Sequence, residues 1–142
     1  MKLYQVAGKK SNISTKQQIL IIDSEWNMLK LLYAMLSQEF DVVVKTSSVD
    51  ALHWLVNGKK PALIITEYKL PRIDGVLFIK HLRFSGLYSD IPVIILSDAH
   101  DLENKTNGLP FFTGAVISKP FNPSYLVNRI NFLINEYKST VA

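Results

Sequence analysis

Residues 61–66, PALIIT, run apolar at successive positions until a final threonine. A half-exposed strand alternates apolar with polar residues, so a run without alternation needs cover on both faces. The same signature recurs in QILIID (18–23), DVVVKT (41–46), IPVIILS (91–97) and, more weakly, GAVIS (114–118). Five short runs of this kind suit a parallel sheet sandwiched between two layers of helices.

Helical patterns fill the intervals. In WNMLKLLYAMLSQEF (26–40), Met28, Leu32, Met35 and Leu36, then Phe40, form a stripe at helical spacing. In SSVDALHWLVNGKK (47–60), Ser47 and Asp50 have the spacing of a capping box, and Gly58 is a natural stop. Asp74 caps GVLFIKHLRF (75–84), with Ile79 and Leu82 inward beside Val76 or Phe78. DAHDLENKTNGLPFF (98–112) meets Gly108 and Pro110, so a helix there is short or broken. Asn122 and Pro123 make a cap and first turn for SYLVNRINFLINEY (124–137). The order strand–helix, five times over, defines a doubly wound α/β fold with right-handed crossovers. Polar groups at the carboxyl ends of its strands converge on one crevice. Those groups are Asp23, Ser24 and Glu25, then Glu67, Ser97 and Lys119.

Composition narrows the function classes. The chain has 142 residues, no cysteine, and a formal net charge of +4. Thiolate metal sites and disulfides are therefore excluded. Lys2, Lys9, Lys10 and Lys16 lie within residues 1–17, which hold no acid, and the other 12 basic residues balance 12 acidic ones. The excess charge thus belongs to the leading segment. It reads as a basic, flexible N-terminal segment (1–17) ahead of one domain (18–138) and a short tail (139–142). His53, His81 and His100 fit no metal spacing. No apolar run reaches the roughly 20 residues of a membrane span, and the N-terminus lacks a signal-peptide core, so a cytoplasmic protein is expected.

Several motifs, in order and at matching spacing, resemble the receiver domain of two-component response regulators. ILIIDSE resembles the family's first strand and acidic pair, and PALIITEYKLPRIDG the stretch around its phospho-acceptor. IPVIILS ends in the expected hydroxyl, and SKPF carries the expected Lys-Pro. The resemblance covers residues 18–137 and implies a flavodoxin/CheY-like five-stranded parallel sheet in the order 2-1-3-4-5, with helices on both faces. It also implies a signalling module that is not an enzyme. In the family, two acids after the first strand and an Asp after the third hold Mg²⁺. That Asp accepts a phosphoryl group, which a hydroxyl and a lysine then contact.

Here Asp23 matches the first acid, but Ser24 stands at the second, so this pair is a degenerate metal site. Glu67 stands at the phospho-acceptor position, while Ser97 and Lys119 match the phosphoryl pocket. Glu67 carries its carboxylate one bond, about 1.5 Å, further out than Asp would. Phosphoryl transfer depends on position, so the chain reads as a pseudo-receiver, with no cofactor and at most weak Mg²⁺ binding. Glu67 then either imitates part of a phosphoryl group or simply pairs with Lys119. The partner expected is another signalling protein, such as a histidine kinase, or a second copy of the chain. Phe111, Phe112 and Val116 mark a candidate interaction face. One alternative is a working Mg²⁺-dependent phospho-acceptor, with Glu25 or Asp98 as the missing ligand. A lesser one is nucleic-acid binding through the basic tail, for which no helix-turn-helix remains. No membrane partner is expected.

Overall fold

The computed structural model describes residues 16–98 and 114–141, with side chains to residue 136. Its strands are β1 (Gln18–Ile22), β2 (Asp41–Lys45), β3 (Leu63–Glu67), β4 (Val93–Asp98) and β5 (Gly114–Lys119). Its helices are α1 (Trp26–Leu36), α2 (Ser48–Val56), α3 (Gly75–Phe84) and α4 (Pro123–Val141). The sheet order is β2-β1-β3-β4-β5, every pairing parallel. This is the fold expected from the alternating strand and helix patterns. The segment 98–112, read as a short or broken helix, lies outside the described residues apart from Asp98, which ends β4.

Continuous apolar strands arise because successive side chains enter different cores. Ile19 and Ile21 of β1 pack with Leu29, Leu32 and Leu36 of α1 and Leu126 and Ile130 of α4. Leu20 and Ile22 pack on the other face with Ala51 and Leu55 of α2 and Phe78, Ile79 and Leu82 of α3. The buried stripe of α1 is Leu29, Leu32 and Leu36, while Met28 and Met35 flank it partly buried. Methionine's unbranched chain suits the edge of a packed layer, where the gap is irregular. On α3, Phe78 is the fully buried companion of Ile79, and Val76 is only partly covered.

Caps fix where the helices start. Ser47 Oγ accepts from the Asp50 N–H at 3.1 Å, and Asp74 Oδ1 from the Leu77 N–H at 2.9 Å. Asn122 Oδ1 accepts from the Tyr125 N–H at 3.1 Å. Gly58 ends the α2 region at φ 92°, a conformation that favours glycine.

The β3–α3 loop is held tightly against its own strand. The Gly75 N–H donates to the Tyr68 carbonyl at 2.8 Å, and Ser48 Oγ donates to the Ile73 carbonyl. A Cβ on Gly75 would lie 2.5 Å from the Glu67 carbonyl oxygen and 3.0 Å from that of Tyr68. Only glycine lets α3 begin this close to the end of β3, so Gly75 helps set where Glu67 points. Gly75→Ala is expected to cost about 1–3 kcal/mol, as overpacking does. A lowered urea midpoint at unchanged slope is the expected result; an unchanged midpoint would show that the loop yields freely.

Candidate functional site at the carboxyl edge

Parallel strands deliver all their carboxyl ends to one edge of the sheet. The strand order reverses between β1 and β3, and a crevice opens outside such a point. Asp23 follows β1 there, and Glu67 is the last residue of β3. Lys119 ends β5, in register with Asp98 on β4, and a cis Lys119–Pro120 bond follows it. Together with Ser24 and Glu25 these residues line a cavity of about 270 Å³.

Within it, one cation meets two anions. The Lys119 ammonium is ion-paired with Glu67 Oε1 and lies 3.4 Å from Asp23 Oδ2. Glu67 Oε2 accepts from the Tyr68 backbone N–H at 3.1 Å, a donor it shares with the Leu96 carbonyl at 3.0 Å. Both oxygens of this carboxylate are therefore engaged. Asp23 is 2% exposed, and its Oδ1 accepts from the Glu25 N–H at 2.8 Å, which ties down the turn into α1. Ser24 faces solvent.

Burial is the largest influence on the Lys119 pKa and works to lower it. The hydrogen bond to Glu67 and the charge of Asp23, then the further contributions of both acids, outweigh it and raise the pKa above its ordinary 10.5.

The structure thus brings Asp23, Glu67 and Lys119 into contact and leaves Ser24 at the cavity wall. Ser97 is fully buried, its Oγ has no hydrogen-bond partner, and it is not part of the cavity lining. Val116 is partly buried against the α2–α3 core, while Phe111 and Phe112 lie outside the described residues. Two participants escaped the sequence reading. The Tyr68 peptide N–H escaped because a backbone donor leaves no mark in residue type. The Lys119–Asp23 contact escaped because it joins residues 96 apart.

The resemblance implies Mg²⁺, so the donors can be tested against it. Mg²⁺ requires near-octahedral oxygen coordination, commonly with one or two free carboxylates. Among the described residues no group of three or more acidic or histidine side chains is placed to hold a metal. Of the four carboxylates lining the cavity, Asp23 and Glu67 already share an ammonium, Glu25 and Asp98 are exposed, and Ser24 adds no charge. This donor set does not fit Mg²⁺.

The fold and its carboxyl-edge site define a doubly wound α/β domain with polar groups at the switch point. The chain belongs to the response regulator receiver domain family, whose sequence profile matches residues 19–131. It is 32% identical over 114 residues to the phosphate regulon transcriptional regulatory protein PhoB of Escherichia coli, covering 80% of this chain and 50% of that protein. PhoB of Pseudomonas aeruginosa is 28% identical over 116 residues, covering 82% and 51%. The chain spans about half the length of these curated relatives. Among solved structures, a response regulator receiver domain protein from Clostridium thermocellum aligns with TM-score 0.79 at 25% identity, covering 87% of this chain and 98% of that one. The Francisella response regulator 1452 receiver domain gives 0.74 at 28%, covering 88% and 99%. Receiver domains are signalling modules of two-component systems, generally without enzymatic activity, and meet partners such as histidine kinases. No helix among the described residues is long and apolar enough to cross a membrane.

Linkage fixes a pH test. A lysine whose folded pKa is raised contributes stability that is complete below the unfolded pKa and is lost as pH rises through the folded one. The stability gap between wild type and Lys119→Met should therefore hold up to about pH 10. It should then shrink at higher pH, as read by urea unfolding. A gap constant through pH 12 would mean that the Lys119 charge contributes nothing.

Proposed function

We propose that this domain works as a pseudo-receiver, a protein-interaction module whose signalling does not depend on phosphorylation. The observation that carries this reading is the double engagement of Glu67, by the Lys119 ammonium and by the Tyr68 N–H. An acceptor carboxylate needs an oxygen free to approach phosphorus in line, and transfer falls steeply with misplacement of an ångström. Ser24 supports the same reading, since its neutral hydroxyl replaces a charged ligand for the metal that would neutralise the phosphoryl oxygens.

The Glu67–Lys119 pair is then structural. A single carboxylate has less charge and fewer acceptor oxygens than a phosphate, so mimicry would be partial at best. The match spans about half of relatives named as transcriptional regulatory proteins; on this proposal the present domain would serve such an assembly through constitutive contacts. Its partner is a signalling protein or a second copy of the chain.

Incubation with acetyl phosphate and Mg²⁺, followed by intact mass, tests the reading. Wild type should stay unmodified, while Ser24→Asp/Glu67→Asp should gain one phosphoryl mass. A phosphoryl mass on the wild type would overturn the proposal and require the acceptor to be mapped.

A further inference from the structure

Away from the carboxyl-edge site, α1 and the edge strand β2 enclose a second cleft. Its volume is about 280 Å³, and it is lined by Trp26, Leu29, Lys30, Tyr33 and Val44. Trp26, Lys30 and Tyr33 follow one another at four- and three-residue spacing, so they share one flank of the helix. Leu29 is buried beneath them, yet Trp26 is 57% and Tyr33 50% exposed. Drug-sized ligands occupy about 300–1,000 Å³, so this cleft has room for one large side chain rather than a cofactor.

The chain edge beside it gives the second observation. Among the described residues β2 pairs only with β1. The Asp41 N–H donates to the Gln17 carbonyl, and the Lys45 carbonyl accepts from the Asp23 N–H. Asp41, Val43 and Lys45 therefore turn their backbone groups toward β1, and Val42 and Val44 turn theirs outward. The side chains of Val42 and Val44 are partly buried and pack on the α1 side of the sheet. An open row of strand donors and acceptors thus runs along the same residue, Val44, that walls the apolar cleft. Strand edges are usually blunted by charge or covered. Here only the ends of β2 are charged, at Asp41 and Lys45, and the three residues between are valines. Lys30 sits exposed on the rim with no ion-pair partner among the described residues.

We infer that this edge accepts an extended peptide segment of a partner protein as a sixth strand. Its backbone pairs with Val42 and Val44, one apolar or aromatic side chain enters the Trp26–Tyr33 cleft, and an acidic residue beside that anchor meets Lys30. Main-chain bonds supply affinity in this mode, and the pocket and charge supply choice of sequence. The inference is independent of whether Glu67 accepts phosphate.

The test is an amide NMR titration of the full chain with two end-blocked pentapeptides, Asp-Val-Phe-Val-Asp and Lys-Val-Phe-Val-Lys. The acidic peptide should shift the amides of Val42 and Val44 and the Trp26 indole saturably. It should bind about two- to fivefold more tightly than the basic one, the range of an exposed ion pair. Lys30→Glu should reverse that preference, a result that mere loss of structure would not give. Trp26→Ala, at an exposed position, should weaken both peptides about tenfold, as loss of an aromatic anchor does. The inference fails if neither peptide shifts these residues at millimolar concentration. It fails equally if the shifts centre elsewhere, for example on Leu77 and Phe84 of α3, or if Lys30→Glu leaves the preference unchanged.

Discussion

Two carboxylates at the edge of a parallel sheet are a problem that some cation must solve. The topology creates it: β1 and β3 are neighbours, both end at the same edge, and each presents an acid there. Asp23 is almost fully buried and Glu67 nearly so, and burying a charge without a partner is expensive. In this chain the cation is internal. Lys119 arrives from the end of β5, two strands away from Glu67, and places its ammonium against both acids. The order of the sheet, the tight start of α3 at Gly75, and the turn held by Asp23 all serve to bring these three groups together.

That arrangement joins the two departures from the receiver pattern into one. A glutamate at position 67 has the reach to meet the ammonium directly while its second oxygen takes the Tyr68 N–H. With Ser24 in place of an acid, the edge holds one carboxylate fewer than an acidic pair plus an acceptor would supply. The Lys119 ammonium then offsets part of the negative charge of Asp23 and Glu67.

Much of this was legible in the residues. Unbroken apolar runs such as PALIIT could serve only strands covered on both faces, and the caps at Ser47, Asp74 and Asn122 announced their helices by side-chain chemistry. The polar residues at the ends of β1, β3 and β5 are the ones the structure brings together. Other features were not legible. The α1 stripe takes in Leu29 rather than Met28 because helical phase is decided by what the sheet offers, and adjacent residues differ by only 100° around the axis. Ser97, matched by position to a phosphoryl pocket, is fully buried with its Oγ unpartnered, a burial set by tertiary packing that residue type alone does not reveal. The outward backbone of Val42 and Val44 depends on sheet order, which no local pattern encodes.

The pseudo-receiver proposal holds that Lys119, paired with Asp23 and Glu67, leaves no place for a divalent metal at this edge. A Mg²⁺ titration of the wild-type chain, followed by the amide resonances of residues 23–25 and 67–68, tests it most directly. The account predicts no saturable shift at millimolar Mg²⁺, only the small linear drift of ionic strength. Saturable binding at those residues in the low millimolar range would contradict it, because a second cation would then share the carboxylates with Lys119.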